Sequence, residues 1–256
     1  MIKLETTEVC KDYDGIKIIS DINIHVNKEE IVALVGISGV GKTTLFNILS
    51  GIETPTKGHV LLNSEDITGK TGRVSYMQQK DLLMPYKTIL DNVALPMLIR
   101  GYKKKEARET ASGYFRDFGI QGTEKKYPTQ LSGGMKQRAA FLRAYLFSKE
   151  MMLLDEPFSA LDTLTKSTMH SWYLEIMSKV KTSTLFITHD IDEAIYLSDR
   201  IYVLSGTPGT VTLEVIIDAK RPRDAEFTTS DTFIHYKKLI IHHIKEASSH
   251  LDDIKA

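Results

Sequence analysis

The sequence predicts an α/β fold: a mostly parallel core sheet with helices, an antiparallel β edge ahead of it and a helical insertion within it. Three observations carry this expectation. Short apolar runs alternate with helical patterns through the second half of the chain, as at 151–154, 164–180 and 184–187. Residues 1–30 alternate apolar and polar side chains, as in Ile22-Asn23-Ile24-His25-Val26, which suits an antiparallel edge. Between these regions lies Gly36-Ile37-Ser38-Gly39-Val40-Gly41-Lys42-Thr43, a complete G-x-x-x-x-G-K-[ST] string placed after a strand and before a helix.

The elements follow in order. Residues 31–35, Ile-Val-Ala-Leu-Val, form a buried strand, and 42–50 a helix. Short strands are expected at 60–63 and 74–77. From 91 to 118 the pattern turns helical, interrupted near Pro96 and Gly101. The helical insertion is placed at about 86–130, closed by Tyr127-Pro128. A helix at 133–147, a strand at 151–154 and a helix at 164–180 come next. After the strand at 184–187, a short helix spans 191–198. Strands at 201–204 and 211–217, with a turn at Pro208-Gly209, complete the sheet. A helix at about 232–248 ends the chain, with Phe233, Tyr236, Leu239, Ile240, Ile244 and Ala247 on one face. His242 and His243 are adjacent there and point about 100° apart, which argues against a metal site. The whole reads as one domain over 1–256, built on a phosphate-loop NTPase core.

Composition narrows the function. The chain has 256 residues with 33 basic and 33 acidic side chains, so no basic excess points to nucleic acid. Cys10 is the single cysteine, so no internal disulfide forms, which suits a reducing compartment. The start, Met1-Ile2-Lys3-Leu4-Glu5, lacks the apolar core of a signal peptide. No apolar run approaches 18 residues, so a membrane role requires a partner.

The chemistry begins at the glycine-rich loop. Its successive amides form an anion nest at a helix N-terminus. Lys42 is placed to reach the β- and γ-phosphates of a nucleoside triphosphate, Thr43 to ligate Mg²⁺, and Thr44 to reach nearer the α-phosphate. The strand at 151–154 runs into Asp155-Glu156. Functional groups of open α/β sheets sit at carboxyl ends of strands, so both acids are expected beside the loop. Asp155 suits Mg²⁺ through water, and Glu156 suits polarising an attacking water. His189 ends the strand at 184–187 and is placed to bond the γ-phosphate and hold that water. Ser132-Gly133-Gly134 opens the next helix with a natural N-cap and bare amides. A second anion cradle is superfluous within one chain, so it is expected to close over ATP held by another copy.

Taken together, these strings resemble the ATP-binding subunit of an ABC transporter over nearly the full length. The resemblance rests on the phosphate loop, on Leu131-Ser132-Gly133-Gly134-Met135-Lys136-Gln137-Arg138 and on Leu153-Leu154-Asp155-Glu156-Pro157. Ser159-Ala160-Leu161-Asp162 and Ile187-Thr188-His189-Asp190 extend it. The resemblance implies an ABC nucleotide-binding domain that hydrolyses ATP with Mg²⁺. It implies that Tyr13 stacks on adenine, and that Asp162 crosses a dimer interface. It also implies a glutamine that binds Mg²⁺ and senses the transporter. Gln78 and Gln79 are both candidates, and Tyr76 with Pro85-Tyr86 favours Gln79.

By the same resemblance, two copies sandwich two ATP molecules and drive a separate integral-membrane permease from the cytoplasmic face. The permease contact would fall around 79–88 and the helical insertion, with Met84, Pro85 and Tyr86 as an apolar exposed loop. Residues 81–88, 91–96, 191–200, Pro208-Gly209 and Arg221-Pro222-Arg223 resemble the nitrate/sulfonate/taurine import group, which works with a solute-binding protein. A soluble ABC ATPase acting on protein or nucleic acid is the alternative. Neutral charge and the importer-like segment after Gln79 argue against it, and no nucleic acid partner is expected.

Overall fold

The computed structural model describes residues 1–221, 223–224 and 226–253, with side chains to 245. Pro222 and the side chain of Ala247, both used in the sequence reading, lie outside the described residues. The chain divides into two compact units, one of Met1–Arg73 with Thr182–Ala256 and one of Val74–Lys181.

The first unit opens with the antiparallel edge. Strand β1 (Ile2–Tyr13) pairs with β2 (Ile16–Ile22), β3 (His25–Asn27) and β5 (Lys57–Leu62), all antiparallel. A two-residue β6 (Glu65–Asp66) pairs with β5. The parallel core is β4 (Ile31–Gly36) flanked by β9 (Ser183–Thr188) and β10 (Arg200–Ser205). Every residue of these three strands is buried. Continuous apolar sequence, rather than alternation, is what a sheet covered on both faces requires. Strand β11 (Thr210–Ile216) adds an antiparallel edge to β10. Helix α1 (Lys42–Leu49) follows the glycine-rich loop, and α6 (Ile191–Leu197) packs on β4 and β9.

The C-terminal helix α7 (Asp231–Asp253) buries Phe233 and Ile240 and half-buries Tyr236 and Ile244. Leu239, expected on that face, is 40% exposed. It stands one residue from Ile240, so its side chain points about 100° away.

The second unit holds β7 (Ser75–Met77) parallel to β8 (Met151–Asp155), with α2 (Ile89–Ile99), α3 (Lys104–Gly113), α4 (Gly133–Phe147) and α5 (Thr163–Val180). Two expectations for the insertion are corrected. Pro96 does not interrupt α2 but lies inside it, buried with Ile89, Val93, Ala94 and Met97. Packing of that face outweighs the one backbone bond that proline removes. Residues 114–127 are turns and irregular chain rather than helix, and a short 3₁₀ turn follows at Pro128–Gln130. Phe118 there sits against Phe141, Tyr145 and Trp172, and its amide donates to the Tyr114 carbonyl at 3.0 Å, so ring packing and local turn bonds hold the segment.

Candidate functional site

The candidate residues fall in two groups, one in each unit. In the first, the loop leaves β4 where the backbone is crowded. A Cβ on Gly36 would lie 2.4 Å from the Leu204 carbonyl oxygen of β10, so only glycine lets the two strands meet there. Gly41 takes φ +101° as the N-cap of α1, and a Cβ would lie 2.4 Å from Ile19 Cγ2. Between them Ile37, Ser38 and Gly39 are exposed and Val40 is buried.

Lys42 is 8% exposed, and its Nζ donates to the carbonyls of Gly36 and Ile37, both at 2.8 Å. A cation buried to that degree needs such partners. The ammonium therefore sits in the mouth of the loop. Thr43 is exposed and Thr44 half-buried on the first turn of α1.

Strand register places His189 beside the loop. Val35 pairs with Thr188 and Gly36 with Leu204, so β4, β9 and β10 end together. His189 is the exposed residue that follows β9. Asp190 then caps α6, accepting from the Glu193 amide at 3.1 Å.

Tyr13, at the end of β1, is 42% exposed. Its hydroxyl donates to Glu53, whose other oxygen accepts from Asn47 Nδ2 at 2.9 Å. The bond to Glu53 raises the Tyr13 pKa, because a phenol donating to a carboxylate resists ionising. Lys11 Nζ lies 4.9 Å from the ring centroid.

In the second unit, Asp155 and Glu156 close β8. The Tyr76 hydroxyl meets the Asp155 carboxylate at 3.3 Å, and burial with that neighbouring charge pushes the Tyr76 pKa up. Glu156 has φ +44°, a left-handed conformation that costs a non-glycine residue about 1 kcal/mol or more. Its carboxylate accepts from Gln79 Nε2 at 3.1 Å. The same amide lies 3.2 Å from Ser159 Oγ, and Ser159 donates to the Glu156 carbonyl at 3.0 Å. Gln79 thus comes to Glu156.

Ser132 caps α4, accepting from the Met135 amide at 3.4 Å, and leaves Gly133 exposed at the helix start. Asp162 caps α5, accepting from the Thr165 amide at 3.1 Å. Bonds from the Thr165 side chain and backbone hold the Asp162 pKa below the usual carboxylate value.

Of the apolar trio, Pro85 and Tyr86 are exposed, Tyr86 by 74%, but Met84 is half-buried. Sequence reasoning missed the cause. Asn92, fully buried on α2, accepts from the Met84 amide at 2.6 Å and donates toward the carbonyls of Met84, Lys87 and Thr88 at 3.0–3.2 Å. Arg143 on α4 donates to the Leu82 carbonyl at 2.7 Å and the Asp81 carbonyl at 2.5 Å. Tyr76, Ser159 and Glu53 were missed as supporting residues too. The one available signal was polar residues within apolar stretches, as Asn92 is before Val93-Ala94-Leu95.

The family model described as ABC transporter matches residues 19–159, more than half of the chain. The chain belongs to the ABC transporter ATP-binding family. The formylaminopyrimidine import ATP-binding protein ThiZ of Halalkalibacterium halodurans is 45% identical over 206 residues, 80% of each chain. The nitrate import ATP-binding protein NrtD of Synechocystis is 37% identical over 234 residues, 90% of this chain and 87% of the relative. A dimeric ATP-binding cassette, MJ0796, in a post-hydrolysis state with ADP and Pi, superposes with a TM-score of 0.71. It is 27% identical and covers 85% of this chain and 100% of its own. This chain is therefore an ABC ATPase: it binds nucleotide and carries the α/β architecture of that family.

Proposed function

We propose that this ABC ATPase powers import of a small solute through a separate integral-membrane permease, working as a homodimer at the cytoplasmic face of the membrane. What carries the reading is that relatives covering 80–90% of the chain are named as import ATP-binding proteins. Among the described residues no helix is long and apolar enough to cross a membrane, so a permease would supply the path. The solute falls in the range of nitrate, sulfonate, taurine or a related small organic compound. Higher identity to the formylaminopyrimidine relative than to the nitrate relative favours the organic end. A solute-binding protein would deliver it.

In this reading Gly36, Ile37, Ser38, Gly39, Val40 and Gly41 wrap the phosphates, with Lys42 and Thr44 adding contacts. Tyr13 stacks on adenine. Ser132, Gly133 and Gly134 of one copy close over the ATP of the other, and Asp162 links the two sites. Glu156 orients the attacking water, and His189 and Gln79 are the other catalytic residues of this reading. Magnesium prefers oxygen donors and keeps several waters. The Thr43 hydroxyl, the Gln79 amide oxygen and the Asp155 carboxylate, which Tyr76 steadies, would be its protein donors. When bound, Mg²⁺ would neutralise charge on the phosphate oxygens. Every other contribution is positional, which is what phosphoryl transfer asks of a protein.

The test is to tag the chain in its native cell, solubilise membranes gently and identify what co-purifies. A polytopic permease supports the reading. Recovery with soluble protein or nucleic acid partners alone would replace it with a non-transport ABC ATPase.

A further inference from the structure

Tyr13 is held from two sides by residues that no phosphate contact requires. Glu53, in the turn after α1, accepts from the Tyr13 hydroxyl through one oxygen and from Asn47 through the other. Its backbone amide donates to the Asn47 carbonyl at 3.0 Å, so the turn is fixed to α1 itself. Lys11 lies over one face of the Tyr13 ring, 3.9 Å from Glu53 Oε2, and donates to the Thr54 carbonyl at 2.9 Å. The ammonium is thereby anchored on that face rather than free to swing.

An exposed tyrosine ordinarily samples several rotamers, and a ligand that stacks on it must freeze one. Here the ring is held before any ligand arrives. The hydroxyl is tied to a carboxylate, and that carboxylate is tied to the helix that begins at Lys42. One face is covered by a cation, and Tyr13 as a residue remains 42% exposed. A flat apolar partner has one face left to meet. Glu53 is bonded to Asn47 of α1, the helix that follows the phosphate loop, so ring and loop are linked through α1.

We infer that Glu53, with Lys11, is a positioning residue that preorganises Tyr13 as a one-sided platform for the nucleotide base. This rests on the proposal that Tyr13 stacks on adenine. Glu53 touches neither the base nor the phosphates and acts through Tyr13.

The measurement is equilibrium binding of ATP and of inorganic tripolyphosphate to the full chain. Tripolyphosphate has no base and reports the phosphate loop alone. Glu53→Ala should weaken ATP about 3- to 10-fold, the scale of one newly ordered side chain, and leave tripolyphosphate unchanged. Glu53→Gln keeps an oxygen acceptor and should stay within about 2-fold of wild type. Tyr13→Phe keeps the ring but lacks the hydroxyl. It should match Glu53→Ala in its effect on ATP, and combining the two should add nothing, since both remove the Tyr13–Glu53 bond.

Unchanged ATP affinity in Glu53→Ala overturns the inference. So does an equal loss of ATP and tripolyphosphate, which would mean a disturbed loop, and so does a Glu53→Gln loss as large as that of Glu53→Ala. Tyr13→Ala separates the two levels of the argument. If it fails to weaken ATP relative to tripolyphosphate, the adenine-platform proposal itself falls. If it weakens ATP while Glu53→Ala does not, only the role of Glu53 falls.

Discussion

Asn92→Ala tests whether one buried amide shapes the loop proposed to meet the permease. Asn92 is fully buried, and its side chain serves the backbone of residues 84–88. Not every group it serves would be orphaned. The Met84 carbonyl also accepts from the Lys87 amide at 3.1 Å, and the Thr88 carbonyl accepts from the Asn92 amide at 2.9 Å. The Met84 amide and the Lys87 carbonyl are the groups that lose their partner. Leaving a buried polar group unsatisfied costs about 1–3 kcal/mol. Met84 and Lys87 are half-buried, so water replaces part of the loss and the lower part of that range applies. The sum is about 2–3 kcal/mol, which for a chain of this size lowers Tm by about 4–12 °C.

Thermal unfolding reads the global term, and amide hydrogen exchange at Met84 reads the local one. ATP affinity should stay unchanged, because the phosphate loop makes no use of Asn92. Asn92→Asp sharpens the test. At neutral pH it turns a carboxylate toward the Met84, Lys87 and Thr88 carbonyls, so it should be worse than alanine and recover as acid protonates it. If Asn92→Ala keeps its Tm within about 2 °C and Met84 stays as protected as in wild type, the reasoning fails.

Three further outcomes are expected. Lys42→Ala removes a buried ammonium from the loop mouth and should weaken ATP about 10- to 100-fold, at about 1.5–3 kcal/mol for a charged hydrogen bond; unaltered affinity by calorimetry would argue against the loop assignment. Glu156→Gln should bind ATP normally, hydrolyse it about 10²- to 10⁴-fold more slowly and accumulate as an ATP-bound dimer on size exclusion, whereas normal turnover would remove Glu156 from the chemistry. Asp66→Asn tests acid stability. The Thr68 side chain and backbone, then His59, hold the Asp66 pKa at about 2 against an ordinary 3.8. A lowered folded pKa stabilises above the unfolded value, and that contribution fades as pH falls from 3.8 toward about 2. The variant should therefore lose less of its urea midpoint than wild type across that window, and parallel curves would contradict the assignment.

The parts of this chain that were legible in its sequence are those whose physics is local. A phosphate loop is contiguous, so Gly36 to Thr43 announce a strand, a turn and a helix within a few residues of one another. Caps are equally local, and Ser132 accepts the amide three residues on, as its type suggests. Continuous apolar runs located β4, β8, β9 and β10 because strands covered on both faces have no polar side to show. The misses are long-range. Pro96 reads as a break until the packing of α2 is known, and Leu239 reads as core until Ile240 fixes the rotation of α7. The partners of Tyr13, Asp155 and Glu156 are separated from them by 40, 79 and 77 residues, and no periodicity encodes such pairs.

Those pairs bear on the proposed mechanism most directly. Gln79 and Glu156 come from different strand ends, yet one amide bridges the carboxylate and Ser159. A hydrogen bond donated to a carboxylate fixes the direction in which its oxygens point. Gln79 begins the same loop whose later residues, Asp81 to Thr88, are held by Arg143 on α4 and by Asn92 on α2. A partner that moved that loop would change the hydrogen bonding of Glu156 without touching it. In the proposed reading, that gives a docked permease a physical route to the hydrolytic carboxylate: through the amide of Gln79, over a path of named bonds, each open to mutation.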